Sequence, residues 1–123
     1  MRHPVLLIAT MVGISALAFG CSKTGAGSSA SAGGEAAYAG PITSDDVATG
    51  QVVFQTYCNS CHPGGEKGKG PNLHDVGIHP AKARMFIREG SGRMPAFNKS
   101  RISDDQLEAV LAYLATMGTF GAQ

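Results

Sequence analysis

Cys58-Asn59-Ser60-Cys61-His62 is the stretch that decides the fold. Two cysteines stand two residues apart, and a histidine follows at once. This is the signature of covalent haem attachment. The chemistry needs these residue types at this spacing. Each thiol adds to one haem vinyl group to give a thioether. The two vinyls lie on neighbouring pyrroles, so the thiols must be close in sequence and point the same way. The next residue then lies under the iron, where an imidazole can bind it.

The same five residues admit three other readings. Cys-x-x-Cys is half of a zinc site, but no second cysteine pair or spaced histidine pair completes four ligands. It is also the thioredoxin-like redox pair, but no strand-helix-strand pattern surrounds it and the histidine follows directly. A plain disulfide is the third, although a gap of two residues strains its geometry.

The totals narrow the field. A chain of 123 residues suggests one domain, and a formal net charge of +1 gives no bulk attraction to nucleic acid. Glycine is abundant, with 17 residues, so the core is modest. A large apolar cofactor at its centre would help such a domain to fold. Of the three cysteines, the motif uses two, and Cys21 needs its own explanation.

Residues 1–20 read as an export signal. Arg2 supplies a positive start, and Val5 to Phe19 carries no charge and is mostly apolar. That run is short for a membrane span and right for a signal peptide. It ends Leu17-Ala18-Phe19-Gly20-Cys21, which resembles a bacterial lipoprotein lipobox. The resemblance implies lipidation of Cys21 and cleavage just before it. Ala16-Leu17-Ala18 offers an ordinary cleavage site as the alternative, leaving Cys21 a free thiol. Either route exports the chain, to the periplasmic or cell-surface side. A lipid on Cys21 would hold it at a membrane. Covalent haem attachment by dedicated bacterial machinery also occurs outside the cytoplasm.

Residues 21–40 read as a linker. From Ser22 to Gly40 nearly every residue is Gly, Ser or Ala, and Tyr38 is the only large apolar one. Such a segment cannot bury enough surface to fold. As a flexible coil it spans roughly 22–26 Å.

Residues 41–123 carry the folded domain. Thr43-Ser44-Asp45-Asp46 predicts a helix start with a hydroxyl N-cap and carboxylates in the first turn. Val47, Gly50, Phe54 and Tyr57 then form one helical stripe running into Cys58. A glycine inside a helix costs stability, so Gly50 calls for the close approach of another helix. The C-terminal segment offers one. Ser103-Asp104-Asp105-Gln106 reads as a capping box. Leu107, Val110, Leu111, Leu114 and Met117 form an apolar face beside Tyr113, and Gly118 is the C-cap. A short helix is predicted over Ala81 to Arg88, after Pro80. Pro63 to Pro71 and Ser91 to Phe97 read as loops, and no stretch alternates as a strand. The fold class is all-α.

With these elements in place the domain resembles a small monohaem class I cytochrome c over essentially all of residues 41–123. Gly50-x3-Phe54-x3-Cys58 is similar to the family's N-terminal helix, and Cys58 to His62 to its haem motif. Gly70-Pro71-Asn72-Leu73 is similar to the segment behind the ligand histidine. Met94-Pro95-Ala96-Phe97 is similar to the distal methionine loop, and Val110-x2-Tyr113-Leu114 to the C-terminal helix contact. The resemblance implies N- and C-terminal helices crossing, with short helices and loops around one covalent haem c. It implies thioethers at Cys58 and Cys61, and His62 as one axial iron ligand with its second nitrogen donating to the Pro71 carbonyl.

The sixth ligand is expected to be Met94, in a Gly-flanked loop before Pro95. Met85 and Met117 fall on helices, where methionine usually fills core. His74 and His79 are the rivals for a bis-histidine site. Iron with six ligands leaves no position for substrate, so the expected role is one-electron transfer between respiratory redox proteins rather than catalysis. A haem-based ligand sensor, a haem c subunit of a larger oxidoreductase complex and a haem-free thiol lipoprotein are the competing functions.

From Ala81 to Arg101 stand six basic residues (Lys82, Arg84, Arg88, Arg93, Lys99 and Arg101) and one acid, Glu89. They are expected either to form a collar that steers acidic redox partners or to be an ordinary solvated face. Asp45, Asp46, Asp104 and Asp105 are assigned to helix N-termini. The haem domain is expected to be monomeric.

Overall fold

The computed structural model describes residues 34–121. The expected signal peptide, Cys21 and most of the expected linker lie outside them. Three α-helices make the frame: α1 (Val47–Tyr57), α2 (Pro80–Glu89) and α3 (Asp104–Thr116). Among the described residues there are no strands, only isolated bridges at Ile78–Phe120 and Ser91–Met94. No helix there is long and apolar enough to cross a membrane.

Helix α1 begins at Asp46, whose carboxylate accepts the Thr49 N–H at 2.9 Å. The expected hydroxyl cap is corrected by this contact. Ser44 instead accepts the Asp46 N–H at 3.1 Å, and the first turn of α1 holds no acid. A carboxylate caps as well as a hydroxyl and adds charge where the helix dipole favours it. The inward stripe also differs from the expected one. Gly50, Val53 and Phe54 are buried, while Val47 is 38% exposed.

Helix α3 has the capping box that Ser103 and Gln106 predict, with both reciprocal bonds made. Its inward residues Leu107, Val110, Leu111 and Leu114 are buried. Thr116 ends the helix, and Gly118 follows with φ +71°. Helices α1 and α3 cross at Gly50. A Cβ there would overlap the Ala109 carbonyl and lie 2.9 Å from the Tyr113 Cβ. Gly50 therefore sets how close the two backbones come. Phe54 packs on Tyr113 with ring centres 5.3 Å apart, and Tyr57 meets Phe97 edge-on at 6.0 Å.

Helix α2 is one residue longer at each end than predicted. It has Pro80 in its first turn, where the missing N–H is no loss, and Gly90 at its C-cap. Ala83 and Ile87 face the core. Arg84 and Arg88, at i and i+4, share a face that is also turned inward. The Arg84 guanidinium meets the Glu108 carboxylate on two sides, at 2.7 and 2.8 Å. It also donates to the carbonyls of Tyr38, Gly40 and Pro41. Tyr38 adds a bond from its hydroxyl to Glu89. Tyr38 and Gly40, expected as linker, are thus hydrogen-bonded to the body of the domain. Arg88 donates to the carbonyls of Phe97, Ile102 and Ser103 and to Asp104. It staples the chain between Met94 and α3 onto α2.

Candidate functional site: a haem c attachment site

The end of α1 delivers both thiols. The helix hydrogen bonding runs through Cys58, whose N–H donates to Phe54. The chain then turns back on itself: the N–H groups of Cys61 and His62 both donate to the Cys58 carbonyl. The side chains of Cys58 and Cys61 are both half-buried on this turn. Burial, with a smaller contribution from Cys61, pushes the Cys58 thiol up to about 11. Among the described residues no three His, Cys, Asp or Glu side chains gather to hold a metal ion. The zinc reading therefore finds no support among the described residues.

His62 is buried, at 7% exposure. Its Nδ1 lies 2.8 Å from the Pro71 carbonyl. A carbonyl only accepts, so Nδ1 carries a proton, and in the neutral ring this leaves the lone pair on Nε2. That is the tautomer a metal ligand needs. Gly70 lies flat against the imidazole; a Cβ there would overlap the ring. Gly70 N–H also donates to the Cys61 carbonyl at 2.9 Å. The loop behind the histidine is thus tied to the attachment turn through both Gly70 and Pro71.

Met94 closes a tight turn, with Ser91 and Met94 exchanging backbone bonds at 3.1 and 2.9 Å. It is half-buried and packs against the core. Its neighbour Arg93 donates to the Lys69 carbonyl at 3.3 Å, which joins the Met94 turn to the loop carrying Gly70 and Pro71. The rival histidines are placed differently. His74 turns its Nε2 toward the Gly64 carbonyl at 3.1 Å, and His79 precedes α2 beside residues 35–40. The Met117 sulfur lies by Gly65, and that of Met85 by Gly34.

The donor set fits a covalent haem: two half-buried cysteine side chains on one turn, and a buried imidazole whose Nδ1 is held by a carbonyl. The clefts of about 540 and 350 Å³ lie elsewhere, against residues 35–40. They belong to the seam where residues 35–41, the lead segment, meet α2 and α3.

The expected basic collar is corrected in part. Arg84 and Arg88 are internal staples, and Lys99 pairs with Asp104 at 2.7 Å. Arg93 and Arg101 remain exposed, with Arg101 stacked over the Phe97 ring at 5.2 Å and the Tyr57 ring at 6.0 Å. The stapling roles were missed in the sequence. Their one signal was the i, i+4 spacing beside Ala83 and Ile87, which puts both arginines near the apolar side of α2.

A helical domain with crossed terminal helices and a Cys-x-x-Cys-His turn defines a haem c protein. The chain belongs to the class I monohaem cytochrome c family. Residues 45–114 match the family model described as cytochrome c oxidase, cbb3-type, subunit III. Cytochrome c6 of a Synechococcus species is 35% identical over 82 residues, covering 60% of this chain and 72% of that protein. Cytochrome c6 of Synechococcus elongatus is 31% identical over 84 residues, covering 62% of this chain and 95% of that protein. The cytochrome c subunit of 4-cresol dehydrogenase (hydroxylating) from Pseudomonas putida is 33% identical over 75 residues, covering 61% of this chain and 66% of that protein. A chain in a crystal structure of p-cresol methylhydroxylase with substrate bound is 29% identical, with a TM-score of 0.49; the match covers 64% of this chain and all of that chain. Membership implies covalently bound haem c, and Cys58 and Cys61 stand in its attachment motif.

Proposed function

We propose that the protein is a one-electron carrier with His62 and Met94 as the axial ligands of its haem. The observation that carries this reading is the Arg93–Lys69 bond, which draws the Met94 turn to the loop behind His62. When bound, the haem supplies the ferrous–ferric couple. The chain's own residues do the rest. Cys58 and Cys61 hold the group covalently. Pro71 fixes the His62 ring and raises its basicity. Met94 offers a soft thioether that favours the ferrous state and so a higher potential. The crossed helices and the Arg88 staple keep the frame rigid, so little rearranges as the charge changes. With both axial positions filled by the protein, no site is left for substrate, and the protein is not an enzyme in its own right.

Lys67, Lys69, Arg93 and Arg101 are exposed cations on or beside the loops that carry the ligands. We assign them the steering of an acidic redox partner. Cys21, if lipidated, tethers the domain at the periplasmic or outer face of a membrane through the Gly/Ser/Ala-rich linker. A second reading, a haem c subunit held within a larger oxidoreductase, is favoured by the likeness to the cytochrome c subunit of 4-cresol dehydrogenase.

Stopped-flow reoxidation of the ferrous protein by an acidic redox protein tests the carrier reading. The expected result is a complete one-electron step whose rate falls steeply with added salt. Failure to exchange electrons with any protein partner, alongside tight binding of a small gas, would favour a sensor.

A further inference from the structure

We infer that His74 is a positioning residue for His62. This deepens the proposed function, because it rests on His62 being the iron ligand. Directly after His62 the chain makes a single turn of 3-10 helix, Pro63–Gly65. Gly64 and Gly65 both have positive φ, +60° and +89°. Such a turn is soft, because glycine enters and leaves this conformation freely. It is also the turn that hangs from the ligand.

The segment from Gly70 to His74 lies against it. Two backbone bonds sew them together: Gly70 N–H to the Cys61 carbonyl at 2.9 Å, and Leu73 N–H to the Gly65 carbonyl at 2.8 Å. Two imidazole bonds complete the seam. His62 Nδ1 donates to the Pro71 carbonyl, and His74 Nε2 donates to the Gly64 carbonyl at 3.1 Å. Each histidine thus bonds to the other's segment. The His74 ring also presses on the turn. A Cβ on Gly65 would stand 2.7 Å from its Nε2 and 2.9 Å from the Met117 sulfur. His74 is itself held, its N–H donating to the Asn72 side chain at 3.0 Å. Thr119 fixes the neighbouring Leu73 carbonyl at 2.8 Å.

The consequence is geometric. The Pro71 carbonyl can orient the His62 ring only while its segment keeps its distance from the Pro63–Gly65 turn. His74 is the side chain that sets this distance from the far end. Without it, the Gly64 carbonyl loses its protein partner and no ring bears on Gly65. The turn relaxes, and the Nδ1–H bond of His62 lengthens. A weaker bond at Nδ1 makes Nε2 less basic, which disfavours ferric iron and raises the potential.

The test uses the full haem-loaded chain and its His74→Ala and His74→Gln variants. Two quantities are read in each: the solvent exchange of the His62 Nδ1 proton by NMR of the ferrous form, and the midpoint potential. His74→Ala is expected to speed the exchange by roughly tenfold, the equivalent of one ordinary hydrogen bond, and to move the potential upward. Glutamine places an N–H donor where Nε2 stands, so His74→Gln is expected to restore both. A His74→Ala protein that is less stable but unchanged in both readings overturns the inference. Loss of potential control without rescue by glutamine overturns it too. His62→Ala serves as the separate control. If its low-spin spectrum matches the wild type, the ligand assignment has failed rather than the role of His74.

Discussion

His62 and Pro71 are joined by a 2.8 Å hydrogen bond from imidazole Nδ1 to a backbone carbonyl, nine residues along the chain. The bond fixes tautomer and ring plane together, and it exists because Gly70 lets the loop lie against the ring. A side chain at position 70 has nowhere to go. Gly70→Ala is expected to cost about 1–3 kcal/mol by overpacking and to raise the midpoint potential as the bond to Pro71 stretches. Denaturant titration and potentiometry check this. A protein with native stability and potential would remove Gly70 from the account.

The helix crossing gives a second expectation. Gly50 admits the Ala109 carbonyl of α3, and that contact cannot yield without moving a backbone. Gly50→Val is expected to cost about 3 kcal/mol or somewhat more, at the upper end for core overpacking. Because α1 ends at Cys58, haem loading in cells should fall with it. Thermal unfolding and holoprotein yield report the two effects.

The Arg84–Glu108 pair gives a third. Arg84 is 7% exposed and holds the lead segment through three carbonyls. Glu108→Ala leaves this guanidinium without its counter-ion, which is expected to cost roughly 3 kcal/mol. The hydrogen bonds from Arg84, opposed by partial burial and helped by the Thr43 N–H, hold the Glu108 carboxyl below the usual carboxylate range. A depressed carboxylate stabilises the fold above its unfolded value of about 4.3, and the contribution is lost as pH falls through the lower folded value. Stability should therefore drop with acid below about pH 4. Arg84→Met should flatten that part of the profile. An equally steep acid limb in the variant would contradict the pairing.

Membrane attachment gives a fourth. Cys21→Ser is expected to move the protein from the membrane to the soluble fraction of cells with its haem still bound. Fractionation followed by a haem stain checks it. A variant that stays with the membrane refutes lipidation of Cys21.

Much of this molecule was legible in the sequence, for identifiable reasons. The attachment turn, the α3 capping box and the Gly50 crossing are each written in short, local patterns. Residue type alone carries their chemistry. Arg84 and Arg88 were not legible in that way. Beyond their carboxylates Glu108 and Asp104, they donate to backbone carbonyls of Tyr38, Gly40, Pro41, Phe97, Ile102 and Ser103, and no residue type announces a carbonyl. Long cationic side chains on an amphipathic helix read as surface until tertiary structure folds the chain over them. The same reason hid the inclusion of Tyr38 and Gly40 in the domain, since a Gly/Ser/Ala-rich segment carries no apolar signal of its own. His74 was visible only as a rival ligand, because its bond to Gly64 depends on a turn of two positive-φ glycines.

The central claim is that Met94 occupies the sixth position and makes the site a closed electron carrier. Carbon monoxide titration of the ferrous protein at neutral pH, beside Met94→Ala, tests it most directly. The wild type is expected to resist the gas. The variant should keep its covalent haem, show a lower potential and bind carbon monoxide readily. A wild type that binds the gas fast and tightly, or a Met94→Ala protein with an unchanged spectrum and potential, would contradict it.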